Sequence, residues 1–100
     1  MLYVIYGVDA PDMWETRKAT RAAHLERMQP LVDAGRVFAA GPCPLEDSPT
    51  ITDAGVSGSV IIAEFTSLQE AQAWADQDPY MLAGVYAKVD VKPFIKVLPT

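Results

Sequence analysis

The chain is short of the residues from which metal and redox sites are built. Its 100 residues hold one cysteine, Cys43, and one histidine, His24. A single cysteine excludes an internal disulfide and a cysteine-based zinc cage. A single histidine excludes a multi-histidine metal site within one chain and concentrates any imidazole chemistry at one position. Basic residues are also scarce: 8 Lys and Arg stand against 13 Asp and Glu, a net charge of −5. That balance lacks the basic footprint behind most nucleic-acid affinity and the attraction to anionic membranes, so neither partner is expected. No apolar run reaches the roughly 20 residues a bilayer requires. The opening Met1-Leu-Tyr-Val-Ile-Tyr6 is apolar but short, with no basic flank or small-residue cleavage site. The expected location is the cytoplasm. The glycines form neither GxGxxG nor a P-loop, which excludes the usual phosphate cradles.

What is present is core material. Hydrophobic residues make up 50% of the chain and charged residues 21%, the proportions of a globular protein. The length allows one domain, residues 1–100. Its core is small, since a chain of this size buries roughly 60–70% of its unfolded surface. A partner chain that covers further apolar surface would add stability.

Leu2 to Val8 reads as a strand, apolar on both faces. Asp12 and Glu15 have capping-box spacing ahead of a helix over Met13–Ala34 that Gly35 ends. Pro30 removes one hydrogen bond of that helix and is expected to kink or break it near Glu26–Arg27. A second strand covers Arg36–Ala40, closed by Gly41-Pro42, and turn formers fill a long loop over 44–58. A third strand covers Ser59–Phe65. Ser67 and Glu70 form a capping box for a helix to about Asp76. Asp78 then caps a short turn with Pro79 at its first position. The last strand spans Tyr86–Leu98, with Pro93 marking an edge or bulge. The order β-α-β-β-α-β predicts a ferredoxin-like α+β plait, one antiparallel sheet with both helices on one face. The other face would lie bare, and such an apolar sheet implies a homodimer joined sheet to sheet.

The first helix carries the functional signal. At about 100° per residue, Arg17, Arg21, His24, Met28, Leu31 and Val32 share its core-facing side. Cations on that side without partners would be costly, so the face should open into a polar cavity at its N-terminal half. The alternative is that the arginines snorkel to solvent and His24 is an ordinary core residue. Asp78 is explained as a helix cap alone. It also ends the second helix on the same sheet face, within reach of His24. A carboxylate on one ring nitrogen fixes a histidine's tautomer and frees the other nitrogen for acid or base work.

The sequence resembles the YciI family of the dimeric α+β barrel group. The likeness runs through Arg21-Ala-Ala-His24-Leu25, Gly35-Arg36, Gly41-Pro42, Gly58-Ser59 and Ala71-Gln-Ala-Trp-Ala-Asp-Gln-Asp78-Pro79-Tyr80. Ala83-Gly84-Val85-Tyr86 and Val91-Lys-Pro-Phe94 also fit. The resemblance implies a dimeric ferredoxin-like subunit and a catalytic pair, His24 and Asp78, with Arg21, Ser59 and Tyr80 binding substrate. Most such proteins have no assigned reaction. The family is loosely related to muconolactone isomerases, and one branch eliminates chloride from a chlorinated hydroxyquinol.

The expected activity is therefore cofactor-independent proton abstraction followed by elimination or isomerisation of a small anionic or phenolic molecule, with no metal. The alternative is a non-catalytic dimeric module that binds a small ligand or a partner domain. A haem-binding member of the same barrel group would have only His24 to offer, and no haem attachment motif is present. Cys43 lacks a free histidine to activate it and reads as a packed or half-exposed thiol. Trp14 and Trp74 read as packing residues. Glu46, Asp47 and Asp53 lack EF-hand spacing and read as a solvated loop.

Overall fold

A computed structural model describes residues 1–100. Strand β1 (Leu2–Asp9) leads into helix α1 (Trp14–Asp33) and then strands β2 (Val37–Pro44) and β3 (Val56–Glu64). Helix α2 (Leu68–Asp76), the single turn α3 (Pro79–Leu82) and strand β4 (Tyr86–Phe94) complete the chain. The strands form one sheet in the order β2-β3-β1-β4, and every adjacent pair is antiparallel. This is the ferredoxin-like α+β fold.

Alternation along β1 sorts its side chains. Tyr3, Ile5 and Gly7 are buried, whereas Leu2, Val4 and Val8 are half-buried and Tyr6 is exposed. The inner set joins Ile61 and Ala63 of β3, Met28 and Leu31 of α1, and Ala71 and Ala75 of α2 in the main core. The strand read as apolar on both sides thus has one covered face and one open face. A second, smaller core of Tyr80, Val85 and Tyr86 lies beside it. Gly7 makes that cluster possible. A Cβ there would sit 2.5 Å from the Tyr86 ring, so the ring lies directly over the β1 backbone.

Several boundaries differ from the sequence reading. The Asp12–Glu15 capping box does not form: Asp12 takes a left-handed φ of 60°, and Met13 occupies the N-cap without a side-chain hydrogen bond. Pro30 does not break the helix, which stays continuous to Asp33. Glu26 and Pro30 both face solvent, so water can satisfy the carbonyl that the missing N–H leaves free. Strand β2 passes through Gly41-Pro42 to Pro44, and β3 begins at Val56 rather than Ser59. The connecting loop shrinks to residues 45–55 and becomes a hairpin tip. Pairing ends at Phe94, not Leu98, and Pro93 lies on β4, an edge strand. Edges accept proline because one side of the strand makes no ladder bonds. No helix is long and apolar enough to cross a membrane.

Candidate active site

Of the six residues expected on the inner face of α1, the structure buries Arg17, His24, Met28 and Leu31. Arg21 and Val32 are exposed, yet both line a cavity of about 520 Å³ between α1 and the β2–β3 half of the sheet. The helix face thus divides along its length. Its C-terminal half seals the core, and its N-terminal half meets buried polar groups.

His24 is 8% exposed and lines the cavity. Asp78, 3% exposed, lies behind it. The His24 Nδ1 is 2.9 Å from Asp78 Oδ1 and 3.0 Å from Oδ2. Asp78 Oδ1 also accepts the Tyr80 backbone N–H at 2.9 Å, capping α3. The cap and the histidine clasp are therefore one carboxylate doing two jobs. An ionised carboxylate only accepts, so the neutral imidazole must carry its proton on Nδ1. Nε2 then keeps its lone pair. It has no protein partner and is not sealed from solvent.

Tyr80 stacks on His24 with ring centroids 4.3 Å apart and planes at 23°. The Arg17 guanidinium lies 4.4 Å from the same ring. Arg17 and His24 are seven residues apart, about 10.5 Å of helix rise, and the tyrosine ring fills that gap. Burial raises the Tyr80 phenol above its ordinary pKa, against the pull of the Arg17 and Arg21 charges. The hydroxyl therefore stays protonated, and it makes no hydrogen bond within the protein.

Arg17 anchors a second buried network. Its Nη1 donates to Asp9 Oδ1 at 2.8 Å and its Nη2 to Ser59 Oγ at 2.7 Å. Ser59 Oγ lies 2.7 Å from the Tyr86 hydroxyl. Asp9 arrives because it continues the inward alternation of Tyr3, Ile5 and Gly7, and a register shift between Val8 and Asp9 pairs it with Tyr86. Burial raises the Asp9 carboxyl pKa, with the Arg17 charge and hydrogen bond working the other way. The Tyr86 phenol is pushed up to about 12, chiefly by burial, with the Ser59 hydrogen bond lowering it.

Of the residues expected to bind substrate, Arg21, Ser59 and Tyr80 all reach the cavity. Ser59 differs in that its oxygen is already engaged on both sides. The sequence reading left out Arg17, Asp9 and Tyr86. Arg17 was visible on the inner stripe, and inward alternation along β1 would have supplied Asp9 as its partner. Trp14, read as packing, lines the cavity and also lies against Gly55, where a Cβ would be 2.7 Å from the indole. Cys43 is half-exposed on β2. No three His, Cys, Asp or Glu side chains converge as a metal site would require. The site's chemistry is that of a fixed imidazole, two arginines and a neutral phenol around one cavity.

Comparison with known proteins places this chain in a family. Residues 1–95 match the YCII-related domain. Protein YciI of Escherichia coli O6:H1 is 58% identical over 97 residues, covering 97% of this chain and 99% of that one. An uncharacterized protein of Haemophilus influenzae is 50% identical over the same span. Among solved structures, the 5-chloro-2-hydroxyhydroquinone dehydrochlorinase of Burkholderia phenoliruptrix AC1100, in complex with 2,5-dihydroxybenzoquinone, superposes with a TM-score of 0.84. It is 30% identical, and the match covers 95% of this chain and 94% of that one. The chain belongs to the YCII-related domain family.

Proposed function

We propose that this YCII-related protein catalyses proton transfer on a small hydroxylated organic substrate. His24 Nε2 is the acid/base atom, and Asp78 is the carboxylate that orients it. The observation that carries the reading is the clasp of His24 Nδ1 by both Asp78 oxygens while the imidazole lines a cavity of about 520 Å³. General acid–base catalysis needs a base that substrate can reach, and an imidazole held in one tautomer at a cavity wall supports that role. The structural likeness to a dehydrochlorinase supports elimination as the reaction class.

In such an elimination Nε2 takes a proton from carbon or hydroxyl. The electron pair released forms a new double bond, and chloride leaves with its bonding pair. Substrate minus HCl is the product, and no oxidant is needed. In an isomerisation the same proton returns to a different carbon. Arg21 would stabilise the enolate oxygen or the departing anion. Tyr80, kept neutral, would donate a hydrogen bond to it.

The test is turnover of a panel of chlorinated hydroxyquinols and lactones by the wild type, His24→Ala and Asp78→Asn. Activity in the wild type, lost in His24→Ala with folding intact, supports the reading. Absence of turnover across the panel, with ligand binding that survives His24→Ala, points to the non-catalytic binding module instead.

The open sheet face supports a homodimer. Val4, Tyr6 and Val60 form a shallow apolar patch there, flanked by Asp90 and Lys92. Light scattering should give twice the 10.9 kDa chain mass, and Tyr6→Lys should give one chain.

A further inference from the structure

We propose that the cavity takes an elongated organic anion: a carboxylate near Arg21, a reacting centre at His24, and an apolar substituent running toward Val32. The placement of the reacting centre rests on the acid–base reading above. The apolar end of the site is a separate observation.

Both walls of the cavity change character in the same direction. Along α1 the lining passes from Arg17 and Arg21 through His24 to Met28 and Val32. On the sheet side it passes from Ser59 to Ile61 and Val37, since Ser59 pairs with Pro42, and Val37 pairs with Ala63 further along β3. Arg17, Arg21 and Ser59 mark one end, which Trp14 and Val56 also line, and the other is apolar but for Gln29. His24 sits between them, about 4.5 Å of helix rise from Arg21 and about 12 Å from Val32. A bare dihydroxybenzene ring at His24 would leave the apolar end uncovered.

Charge fixes the sign of the ligand. No Asp or Glu lines the cavity, although the chain carries a net charge of −5. Arg17 is tied to Asp9 and Ser59, and Lys18 to Glu15. Arg21 lines the cavity without a hydrogen bond, an ion pair or a ring contact. An exposed guanidinium in that position matches a carboxylate in bidentate geometry.

Exposure fixes the apolar end. Leu25 is 44% exposed and Val32 50%, and both line this cavity on the C-terminal side of His24. An alkyl or aryl substituent continuous with the anionic head would cover them. The volume of about 520 Å³ lies in the range of pockets that hold drug-sized ligands.

The test is calorimetry of the full chain with benzoate, 4-ethylbenzoate, 4-butylbenzoate and 4-hexylbenzoate, and with 4-butylbenzamide as the neutral control. Each added methylene should tighten Kd about threefold to fourfold until the substituent reaches the end of the cavity. The amide should bind at least about tenfold more weakly than its carboxylate, and Arg21→Gln should erase that preference. Val32→Gln and Leu25→Gln, both at exposed positions, should flatten the chain-length dependence with the circular dichroism unchanged. A flat series in the wild type overturns the proposal, as does an amide that binds as tightly as the acid. So does a wild-type series that survives both glutamine variants. A series that is flat because a second copy already covers Val32 would show as a change of mass in light scattering of Val32→Gln, and also overturns it. His24→Asn separates this from the catalytic reading: binding that keeps its charge and length dependence supports the ligand class whether or not any compound is turned over.

Discussion

Asp78→Asn separates the two roles of one carboxylate. Asparagine caps helices as well as aspartate does, and its oxygen can still accept the Tyr80 N–H that Asp78 Oδ1 takes at 2.9 Å. With the oxygen held there, the amide nitrogen replaces Oδ2, 3.0 Å from His24 Nδ1. That nitrogen donates and so opposes a proton on Nδ1, although the oxygen, 2.9 Å from Nδ1, can still accept it; the tautomer balance should shift toward a proton on Nε2. The variant keeps its cap and leaves less of the imidazole with a free Nε2 lone pair. Replacing a charge-assisted hydrogen bond with a neutral one should cost about 1 kcal/mol, or a Tm drop of about 4–8 °C at this size. Asp78→Ala loses the cap, about 1 kcal/mol, and leaves Nδ1 without a partner, a further 1–3 kcal/mol or so. Its Tm should fall at least twice as far. Because His24 is the only histidine, one-residue imidazole ¹⁵N spectra report the tautomer with no need of a substrate. The wild type should show a protonated Nδ1 at neutral imidazole, and Asp78→Asn a larger share protonated at Nε2. An Asp78→Asn spectrum identical to the wild type would refute the reasoning, and so would a wild type already protonated at Nε2.

The remaining predictions concern the second network and the strand packing behind it. Arg17→Met leaves Asp9 and Ser59 without their buried partner, and breaking such a pair should cost about 3–5 kcal/mol. Adding Asp9→Leu should recover part of that loss, a coupling that chemical denaturation of both single variants and the double variant would measure. The Tyr86 phenol, raised from 10.0 to about 12, favours the neutral form in the folded state. Its contribution is whole below pH 10 and is lost as pH rises toward 12. At about 1.4 kcal/mol per pH unit, the wild type should lose roughly 2–3 kcal/mol more than Tyr86→Phe across that window. Equal alkaline slopes in urea titrations would contradict this. Gly58→Ala should fail to fold or destabilise by more than 3 kcal/mol or so, because its Cβ would lie 2.0 Å from the Gly7 carbonyl oxygen. A Tm within a few degrees of the wild type would show that β1 and β3 can separate locally.

The element order was legible because each element has its own period. Residues 2–8, 59–65 and 86–94 carry β-branched and aromatic alternation, and residues 14–33 carry helical spacing. Boundaries were less legible where turn-forming residues are strand residues here. Gly41 and Pro42 punctuate a sequence, yet β2 runs through them because it is an edge strand paired only with β3. The Asp12–Glu15 box failed because the chain enters α1 through a left-handed residue at Asp12, a choice of backbone that spacing does not encode. The stripe Arg17–Arg21–His24 pointed to the cavity. Spacing could not divide it, because the inner face of a helix is wider than the line that touches the sheet. Arg17 falls on that line and is buried, whereas Arg21 and Val32 fall at its edge and line the opening.

That division has an energetic consequence for the site. Of the four residues that α1 buries, only Met28 and Leu31 are apolar. The C-terminal half of the helix is held by hydrophobic area. The N-terminal half is held by the Arg17–Asp9–Ser59 bonds and the His24–Asp78 clasp. Burial raises the Asp9 carboxyl pKa despite the Arg17 charge, and taking two charges out of water opposes their attraction, so the ionised pair is a costly way to fix a helix. An apolar residue at position 17 with an apolar partner at position 9 would restore part of the hold that Arg17→Met alone removes. What Arg17 adds beyond stability is position. It bears on one side of the Tyr80 ring while His24 stacks on that ring, so any movement of the guanidinium shifts the tyrosine and, through it, the imidazole. The double variant Arg17→Met/Asp9→Leu should therefore fold while His24 loses its single orientation. Its imidazole ¹⁵N signals should then broaden or split, and signals as sharp as those of the wild type would leave Arg17 no positioning role.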